Sequence, residues 1–546
     1  MTQIERKVTL LAHTQLNPDF YATFPDEIDA LYDSKRIGDG ECVALTAIRT
    51  CYSPGKPSEI VAKESARYFG KKATDGGKGT DADRLIRMIH SSGHVSTLEH
   101  LSYTFAVEGV SRALLAQLTR HRVGFSFSVQ SQRYTKYFKG DIDMKKSEIT
   151  RYKSKEKRHG SCKFTIGEEL HMVDLYNEGQ SAESIAKIYG SVKTTITGIL
   201  HANGVGMRKN NEAVLDHDYF AQIDSHLKAQ YLGFILADGS VGHYEKGDKT
   251  IHQLGIELAE VDGYYLKNFL VDLKSRNNVS ETVRGTNSIC VVSDKLVSDL
   301  EFLGVVPNKT NVVTLKHALT KIPEEFHSSL LLGYFEGNGH LSKDGNSNVL
   351  SFATGSEQMA SDIAEVLSGI IDASDVKRYQ QENAYRVNVH KEASIDLVLS
   401  WMYKGVNIER VLQRKFVLAC GKSDAVDTLR KEWIAAKSED CSFVLPSKVL
   451  DDAQASFVMA AHLDKMKQSY VDLVVAGIPQ EDARSITGQG CKTNLVLTVN
   501  LRALLDFYAK RKAGRGAQSE IAGLAEDLRK AVESVEPWTS QLFEAV

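Results

Sequence analysis

The sequence predicts an α/β protein in which one α/β domain is split by a long insert, made of a helix-turn-helix and a two-repeat αββαββα domain. Three observations predict this class. Residues 1–139 mix short β-branched runs (VTLLAH, LSYTFAV) with the helical stretch VSRALLAQLTRHR. Residues 166–203 contain three short segments of helical periodicity. Two glycine-rich segments, YLGFILADGS at 231–240 and LLGYFEGNGH at 331–340, repeat each other.

Length and composition restrict the class of protein. The chain has 546 residues, 42% of them hydrophobic, and a formal net charge of −3. At roughly 100–200 residues per domain, this length predicts about three domains. The balanced charge excludes a wholly basic nucleic-acid coat protein and an acidic disordered chain. The sequence has no apolar run of about 18 residues, no signal-peptide pattern and no C-x-x-C motif among its scattered cysteines. We therefore expect a soluble, cytoplasmic protein that does not bind a membrane.

Two polar stretches divide the chain. Residues 141–160 (DIDMKKSEITRYKSKEKRHG) have almost no apolar content, and a second polar stretch spans 422–440. The composition of 141–160 is typical of a linker or a solvated arm. The predicted parts are an N-terminal part of the split domain at 1–139, a basic linker at 140–162, a helix-turn-helix at 163–210, the repeated domain at 220–420 and the C-terminal part of the split domain at 441–546.

The segment GEELHMVDLYNEGQSAESIAKIYGSVKTTITGIL has the spacing of a helix-turn-helix. Its first helix is expected to end near Gly179, small Ala186 allows close helix crossing, and Gly190 supplies the positive φ of the turn. The positions expected to face inward are Leu170, Val173, Leu175, Ile185, Ala186, Val192, Ile196 and Ile199. The third helix then offers Lys193, Thr194 and Thr197 to the major groove of DNA, with the basic stretch upstream near phosphates. A helical hairpin in an enzyme core is the alternative.

The repeated segments predict a closely packed pair of helices. Gly233 and Gly333 lie 100 residues apart, and each copy is followed by a strand, a polar turn and a helix. The small residues Gly233, Ala237, Gly333 and Gly337 let the two helices approach almost backbone to backbone. We therefore expect one pair of helices at the centre of two similar units.

The ends of these helices carry the candidate metal ligands. Asp238 and Glu336 are expected to lie side by side, and paired carboxylates can hold Mg²⁺ between two scissile phosphates. Residues 225–418 resemble the single-chain LAGLIDADG homing endonucleases, in which the acid before the final glycine of each motif binds metal. Asp238 matches that role. The second motif has Asn338 there, which keeps a carbonyl ligand but loses the charge, so cutting, nicking and binding without cutting are alternatives.

The residues before the insert carry a second chemistry. The segment QLTRHRVGFSFSVQSQRY places Arg120, His121, Arg122 and Arg133 close together, beside three serines. Arginine suits phosphates and pyrophosphates, and hydroxyl groups complete such a site. Taken alone, a charged surface helix is the better interpretation. The further motifs HVSTLEH, GIPQEDAR, TVNLRALLDFYAKRK and GAQSEI favour a binding site instead.

Residues 41–135 and 442–545 together resemble a flavin-dependent thymidylate synthase. The hallmark of that family, RHR followed by seven or eight residues and a serine, is met from Arg122 to Ser131. The resemblance implies an α/β subunit of a homotetramer whose sites lie between subunits. It implies reductive methylation of dUMP to dTMP, with the carbon from methylene tetrahydrofolate and the hydride from FAD that NADPH reduces. Duplex DNA is the expected partner of the insert.

The resemblance also implies site residues, carried over by motif. The residues expected to hold FAD are Ser96, Arg120, His121, Arg122, Asn500, Arg502 and Asp506. The residues expected to hold dUMP are Gln117, Arg120, Ser131, Gln132, Arg133, Arg484 and Arg511. Arg511 is expected to contact the uracil and to make C5 nucleophilic by favouring a negatively polarised ring. Lys512 is the alternative, because the loop that follows is one residue longer than in the family.

Three departures from the family pattern concern this site. Ser128–Val129 stands where Asn-Glu is common, Thr487–Gly488 where Leu-Pro is usual, and Asp506 where Asn or His is common. Asp506 therefore adds a negative charge near the expected flavin. The histidines and the glutamate of HVSTLEH are expected to make hydrogen bonds there, with a metal cluster as the alternative.

Two other functions stay open on the sequence. One is a mobile-element DNA endonuclease inside an inactive synthase host. The other is a self-splicing intein, for which the support is poor: Cys162 leads into a helix-turn-helix rather than a β-rich splicing domain, and Asp440, not Asn, precedes Cys441. Flavin bound to the purified protein would distinguish the first alternative from an assembled synthase.

Overall fold

The computed structural model describes residues 5–33, 37–132, 137–152, 154–159, 162–177, 180–206, 214–247, 249–342, 349–381 and 384–546. The chain divides into two units. Unit 1 combines Met1–Ile142 with Ile434–Val546, and unit 2 is Asp143–Trp433. Unit 1 thus joins sequence from both sides of the predicted insert.

Three strands and seven α-helices precede or enter the insert within the described residues. The strands are β1 (Lys7–His13), β2 (Ser102–Ser111) and β3 (Phe125–Val129). The helices are α1 (Pro18–Tyr21), α2 (Asp26–Asp33), α3 (Asp39–Tyr52), α4 (Ile60–Tyr68), α5 (Asp81–Ser91), α6 (Arg112–Leu118) and α7 (Lys139–Arg151). A 3₁₀ helix spans Val95–His100.

Residues 166–440 contain the next strands and α-helices. The strands are β4 (Gly239–Lys246), β5 (Lys249–Ala259), β6 (Ser280–Glu281), β7 (Thr286–Val292), β8 (Gly339–Leu341), β9 (Leu350–Thr354), β10 (Val376–Gln381) and β11 (Ala384–Val389). The helices are α8 (Ile166–Asn177), α9 (Ala182–Ile188), α10 (Lys193–Ala202), α11 (His226–Asp238), α12 (Gly263–Asp272), α13 (Asp294–Phe302), α14 (Leu315–Leu319), α15 (His327–Asn338), α16 (Glu357–Ser368), α17 (Glu392–Met402), α18 (Gln413–Cys420) and α19 (Asp424–Asp440).

The C-terminal part of unit 1 is mainly helical. Its elements are α20 (Ser447–Asp451), α21 (Ala453–Val475), α22 (Gln480–Ala483), β12 (Lys492–Asn500), α23 (Leu501–Arg511), α24 (Ser519–Val535) and α25 (Ser540–Ala545). Within the described ranges, no helix combines the length and the apolar character needed to cross a lipid bilayer.

Both flanks of the insert contribute to the sheet of unit 1. Its strand order is β1-β2-β12-β3, and all neighbouring strands are antiparallel. β12, from the C-terminal flank, lies between two strands of the N-terminal flank. Alternate residues of the central strands, such as Phe105 and Leu497, are fully buried and pair directly across the sheet. The split domain therefore has one sheet and one core, as the sequence predicts.

Amphipathic helices cover the buried face of this sheet. The core includes Leu45 of α3, Ile86 of α5, Leu504 of α23 and Leu528 of α24, each of which is fully buried. Burying one such side chain contributes roughly 1.5–3 kcal/mol. Side chains from both flanks thus stabilise the same core.

The helix-turn-helix forms where the sequence predicts it. Helices α8, α9 and α10 pack around Met172, Ile185 and Ile196, and Gly190 adopts a φ of 56° in the turn. Val192, which the sequence analysis places inward, is 61% exposed, because it is the N-cap residue that precedes α10. The predicted end of the first helix at Gly179 lies outside the described residues.

The remainder of unit 2 consists of two αββαββα repeats, as predicted. The first repeat runs α11-β4-β5-α12-β6-β7-α13 and the second runs α15-β8-β9-α16-β10-β11-α17. Their antiparallel sheets have the orders β4-β5-β7-β6 and β10-β11-β9-β8. Read in reverse, the second order is β8-β9-β11-β10, which matches the first strand by strand. The two repeats therefore share one topology.

The two polar stretches form helices rather than extended linkers. α7 covers most of 141–160, and α19 covers nearly all of 422–440. In α19, Asp427 pairs with Arg430 at 2.7 Å and with Lys431 at 2.8 Å, three and four residues along the helix. Such pairs support a helix without apolar periodicity. The basic linker at 140–162 stays a prediction.

In unit 1, one lysine joins the segments that lead into and out of the insert. The Lys467 ammonium lies 3.2 Å from Oδ2 of Asp141 and 2.8 Å from Oδ2 of Asp440. The same ammonium lies 5.5 Å from the centre of the Phe138 ring. The two ends of the insertion point are therefore held side by side within unit 1.

Candidate functional site

The candidate site of unit 1 lies where the RHR turn meets the start of α23. The Asn500 side chain caps α23 by accepting a hydrogen bond from the Ala503 amide at 2.9 Å, and the backbone amide of Asn500 donates to the Gly124 carbonyl at 3.1 Å. Gly124 has a φ of 74°, and a Cβ there would lie 2.7 Å from Nδ2 of Asn500. Only glycine therefore permits this close approach of the two flanks.

His121 and Arg511 come into contact although 390 residues separate them. Nε of Arg511 donates to Nε2 of His121 at 3.4 Å. The His121 ring packs edge-to-face on Phe507, with 5.0 Å between the ring centres. Burial lowers the pKa of His121, and the positive charges of Arg511 and Lys510 lower it further. A neutral imidazole can accept this hydrogen bond, so His121 positions the Arg511 guanidinium.

Three of the predicted FAD residues line one cavity of about 490 Å³. Asn500, Arg502 and Asp506 lie on its wall together with His90 and Glu99. Glu99 forms an ion pair with Arg502. Asp506, the departure from the family pattern, pairs with Lys510 at 2.7 Å, so a lysine on the same helix balances its charge. Sequence reasoning missed His90, whose pKa is lowered by burial.

Ser96 lines a neighbouring cavity of about 910 Å³, and Glu99 lines both cavities. In the same segment, Nδ1 of His94 and the hydroxyl of Tyr52 are 2.5 Å apart. Glu99 and His94 thus make the kind of contact expected of the HVSTLEH motif. Apart from the two motifs that contain them, nothing in the sequence indicates that Glu99 and Arg502 pair.

Arg120, His121 and Arg122 lie in the turn between α6 and β3, not on a helix. α6 ends at Leu118, and Nε of Arg122 donates to the Thr119 carbonyl at 3.0 Å. The side chains of Arg120 and Arg122 are exposed. The alternative of a charged surface helix is therefore wrong for this segment.

The predicted dUMP residues fall in more than one place. Nε2 of Gln117 donates to Oε1 of Gln518, which lines a cavity of about 660 Å³ and belongs to the GAQSEI motif. Nε2 of Gln132 donates to the Tyr137 hydroxyl at 3.3 Å. Burial raises the pKa of Tyr137, and the nearby charge of Arg484 opposes this effect. Gln132 and Arg484 thus share Tyr137 as a neighbour.

Three further residues belong to the predicted dUMP contacts or their alternative. Ser131 is exposed beyond the end of β3. Arg133 lies outside the described residues. The Lys512 ammonium, the alternative uracil contact, donates to the Val546 carbonyl, whereas Arg511 faces His121. The contacts of Lys512 and Arg511 therefore favour Arg511.

The candidate site of unit 2 is the helix pair α11 and α15. A Cβ at Gly233 would lie 1.9 Å from the Leu330 carbonyl oxygen, and one at Gly333 would lie 1.8 Å from that of Gln230. A Cβ at Gly337 would lie 2.4 Å from Cβ of Ala237. The backbones of the two helices are thus in direct contact, as the sequence predicts.

Two lysines bind the C-terminal ends of these helices. Nζ of Lys309 donates to the Ala237 carbonyl at 3.0 Å, at the end of α11. Nζ of Lys415 donates to three carbonyls at the end of α15, those of Phe335 and Glu336 at 2.7 Å and that of Gly337 at 3.0 Å. Cations at this end of a helix interact favourably with its dipole. Sequence reasoning missed both lysines.

Asp238 and Asn338 occupy equivalent positions at the two helix ends. Asp238 is exposed, and Nδ2 of Asn338 lies 3.5 Å from the Ala237 carbonyl. Desolvation of its carboxyl group by the surrounding protein raises the pKa of Asp238, whereas the positive charges of Lys415, Lys309 and Arg414 oppose this effect. The surroundings of Asp238 are therefore cationic.

Glu336 is buried whereas Asp238 is exposed, so the two acids do not form the exposed pair that the sequence analysis expects. Glu336 is 1% exposed, and its carboxylate accepts hydrogen bonds from Nε2 of Gln230 at 2.8 Å, the Tyr265 hydroxyl at 3.1 Å and the Leu412 amide at 2.7 Å. Two residues along an α-helix rotate a side chain by about 200°, so Glu336 and Asn338 point in different directions. Glu336 is part of a buried polar network rather than a candidate metal ligand.

The predicted DNA-contacting residues lie on α10. Lys193 and Thr194 are exposed at its start. Thr197 is half-buried, and its hydroxyl donates to the Thr194 carbonyl at 2.9 Å. Lys193 and Thr194 are therefore free to approach a ligand from solvent, whereas the Thr197 hydroxyl is turned toward its own helix.

Comparison with known proteins gives matches on both parts. A family model described as "Thymidylate synthase complementing protein" matches residues 34–197 and 406–538, and one described as "LAGLIDADG-like domain" matches 325–400. A flavin-dependent thymidylate synthase from Clostridium tetani is 41% identical over 96 residues, 18% of this chain and 33% of that protein. Another, from Nitratidesulfovibrio vulgaris, is 39% identical over 134 residues, 24% of this chain and 42% of that protein. The chain thus spans less than half the length of these relatives.

Solved structures also match. A chain titled "Structures and dynamics of mesophilic variants from the homing endonuclease I-DmoI" is 14% identical, with a TM-score of 0.26, over 33% of this chain and 98% of that one. A structure of I-DmoI with DNA and Mn is 13% identical, with a TM-score of 0.25, over the same shares. The first family model covers more than half of the residues, in two segments that include most of both flanks and extend into the insert. The chain therefore belongs to the thymidylate synthase complementing protein family, and its insert carries a LAGLIDADG-like domain.

Proposed function

We propose that unit 1 is a flavin-dependent thymidylate synthase that makes dTMP by reductive methylation of dUMP, with methylene tetrahydrofolate as carbon donor and NADPH as reductant. The contact between His121 and Arg511 carries this proposal. It joins the RHR motif of one flank to the last residue of α23 in the other, across the paired strands β3 and β12. The names of the relatives support the same activity.

The residues around the 490 Å³ cavity fit a flavin dinucleotide. Arg502 lines this cavity, and Arg120 and Arg122 are exposed in the same turn as Val123, which also lines it. Their guanidinium groups suit a pyrophosphate, because arginine binds such oxygens with two parallel hydrogen bonds. Asn500 and Gly124 allow backbone to approach closely there. When bound, FAD would supply the hydride chemistry. Asp506 would add one negative charge that Lys510 already balances.

The chain's own contribution to the reaction would be electrostatic. Arg511 would lie against the uracil and stabilise negative charge on the ring, which makes C5 nucleophilic. His121, kept neutral by burial and by neighbouring cations, would hold Arg511 without competing for that charge. Gln117, Ser131, Gln132, Arg133 and Arg484 are the proposed remaining dUMP contacts.

We propose that the site is completed in a homotetramer. Arg120, Arg122 and Ser131 are exposed in a single chain, although site arginines act more strongly when water is excluded. A neighbouring subunit would cover them. Mass photometry of the full chain is expected to show tetramers, and a monomer that retains full activity would contradict this part of the proposal.

The test of the synthase proposal is NADPH-dependent tritium release from 5-³H-dUMP, with FAD and methylene tetrahydrofolate, on full-length protein of verified mass. Release is expected, together with a flavin absorbance band after purification. Full-length protein that is folded, binds no FAD and releases no tritium would refute the proposal and favour an inactive synthase host.

Neighbouring residues provide a matched pair of variants for the uracil contact. Arg511→Gln is expected to lower kcat about 100-fold or more, the usual effect of removing one preorganised charge from a site. Lys512→Gln is expected to change kcat less than about threefold, because its ammonium contacts Val546 instead. The opposite ranking would assign the uracil contact to Lys512.

For unit 2 we propose binding of duplex DNA, by the helix-turn-helix and the two sheets. Lys193 and Thr194 are exposed at the start of α10, which is the part of such a helix that meets base edges. In the second sheet, Lys377, Tyr379 and Arg386 share one face, because Tyr379 pairs directly with Arg386 and Lys377 lies two residues away. Mobility shifts with Lys193→Ala and Arg386→Ala are expected to show weaker binding, and unchanged affinity in both would refute these assignments.

A further inference from the structure

The ends of α11 and α15 are where a LAGLIDADG-like fold would hold divalent cations, so the donors present there decide whether such ions fit. Asp238 supplies one carboxylate and Asn338 one neutral amide. Glu336, the second acid of the motifs, is buried and bonded to protein donors. Across the described parts of the chain, no group of three or more His, Cys, Asp and Glu side chains could hold a metal ion. These donors fit a pair of Mg²⁺ ions poorly, because each Mg²⁺ is usually held by one or two protein carboxylates together with water and phosphate oxygens, and here one carboxylate would have to serve two ions.

A lysine already occupies the end of α15. The Lys415 side chain is 5% exposed, and its ammonium donates to the carbonyls of Phe335, Glu336 and Gly337. An ammonium group has three donors, so these contacts use all of them. The backbone oxygens at the end of α15 therefore already accept from an ammonium group, whose positive charge disfavours a divalent cation beside it.

A lysine also contacts the C-terminal end of α11, in a more exposed position. Lys309 is half-buried, and its ammonium donates to the Ala237 carbonyl, the residue next to Asp238. Arg414 is exposed, and its Nε donates to Asp262 at 2.8 Å. The positive charges of Lys309, Lys415 and Arg414 all favour the ionised form of Asp238 and so lower its pKa. Two lysines thus occupy corresponding places after the two repeats, one at each helix end.

We propose that the ammonium groups of Lys309 and Lys415 stand in for the divalent cations at these helix ends, so that unit 2 binds duplex DNA without a divalent cation and does not cleave it. This inference rests on the proposed DNA binding of unit 2. Lys309 and Arg414, the accessible members of the cluster, would contact DNA phosphates directly. Lys415 would act structurally, as a buried positive charge that holds the end of α15 and repels metal ions.

The first experiment selects ligands from a randomised duplex DNA pool with the full chain, in parallel in EDTA and in MgCl₂. Equal enrichment of the same sequences in both buffers, with the duplexes recovered uncut, is the expected result. Enrichment that requires MgCl₂, or recovered duplexes cut in MgCl₂, would overturn the inference. Enrichment in neither buffer would refute DNA binding itself, which distinguishes failure of the proposed function from failure of the inference.

Binding of Mn²⁺ tests the helix ends without DNA. Electron paramagnetic resonance is expected to show no Mn²⁺ bound at these ends in the wild type. The double change Asn338→Asp with Lys415→Met restores a carboxylate and removes the ammonium, so Mn²⁺ affinity should rise at least about tenfold. Stoichiometric Mn²⁺ binding by the wild type would overturn the inference. Asn338→Asp alone, at a half-buried helix end, provides a folded comparison if the double variant loses structure.

The phosphate contact is tested with an enriched duplex. Lys309→Gln should weaken binding in both buffers and reduce the slope of log K against log salt by about one. Lys404→Gln, which changes an exposed lysine in unit 2, is the matched control and should leave the slope unchanged. Equal effects of the two changes would show that Lys309 has no special role and would overturn its assignment.

Discussion

Replacing Glu336 by Gln tests the correction that the structure makes to the sequence-based metal site. Glu336 is fully buried, and burial raises its pKa from 4.5 to about 7 in spite of the hydrogen bonds from Gln230, Leu412 and Tyr265. A metal ligand would lose function on this change. A buried acid held at an elevated pKa should instead gain stability, because Gln resembles the protonated acid.

The sign and size of the effect follow from the pKa of Glu336. Between pH 4.5 and about 7 the folded state binds more protons than the unfolded state, so the free energy of unfolding of unit 2 falls as pH rises. The loss is about 3 kcal/mol once the group is ionised, and about 2.5 kcal/mol of it falls between pH 5 and pH 8. Lys415, whose pKa burial lowers to about 8, affects stability mainly above this range.

The neighbours of Glu336 can accept the amide that Gln would introduce. Among the described residues, the buried Oε1 of Gln230 has no hydrogen-bond partner. Rotation of the Gln230 amide would present this oxygen to the new NH₂ group, while the new carbonyl still accepts from the Leu412 amide. The same rotation takes Nε2 of Gln230 away from the Arg410 carbonyl, to which it donates at 3.2 Å, and the Tyr265 hydroxyl loses its acceptor. These losses should offset about 1–2 kcal/mol of the stability gained.

The assay is urea unfolding at pH 5, 6, 7 and 8, followed by the fluorescence of Trp401 and Trp433, two of the three tryptophans. The wild type should lose stability across this range, and Glu336→Gln should remove most of that dependence, with a net gain of about 1–2 kcal/mol at pH 8 once the lost hydrogen bonds are included. An unchanged pH dependence, or destabilisation by several kcal/mol at pH 8, would refute the reasoning.

Three further variants test the close approaches and the insertion point. Gly333→Ala would place a Cβ 1.8 Å from the Gln230 carbonyl oxygen and should destabilise unit 2 by about 3 kcal/mol or more in urea unfolding. Gly198→Ala is the control, because Gly198 lies in open space on α10, and it should change stability by less than about 1 kcal/mol. Gly124→Ala should weaken FAD binding at least about tenfold in a fluorescence titration, because its Cβ would displace the Asn500 side chain. Gly76→Ala is the control, since Gly76 has a similar φ but open surroundings. Equal effects of the two changes on FAD binding would show that backbone strain alone is responsible. Replacing residues 143–433 by a short Gly/Ser linker should leave a unit 1 that unfolds cooperatively in calorimetry. In that protein, Lys467→Met should lower the free energy of unfolding by about 1 kcal/mol, because it removes the ion pairs with Asp141 and Asp440. A deletion protein without an unfolding transition would show that unit 1 depends on the insert.

Local spacing predicted the parts of the fold that depend on neighbouring residues along the chain. The glycines at 233 and 333 predicted the contact of α11 and α15, and Gly190 predicted the turn before α10. The inward direction of Glu336 could have been read from the repeat, because Glu336 aligns with Leu236, an apolar residue that is also buried. Lys415 was missed because its partners lie about 80 residues earlier in the chain, although its apolar neighbours Leu412 and Phe416 indicate burial.

The insertion point explains how one chain accommodates both units. The insert lies in the connection between β3 and β12, which are neighbours in the sheet, and Lys467 holds Asp141 beside Asp440 at its two ends. Lengthening a surface connection costs only about 0.6 kcal/mol for each doubling of its length. Unit 2 also has its own buried side chains around Met172 in the helix-turn-helix and along α11 and α15, so it does not behave as a flexible loop. The sheet of unit 1 can therefore close as if the connection were short, which is why its candidate site is expected to assemble whether or not unit 2 binds DNA.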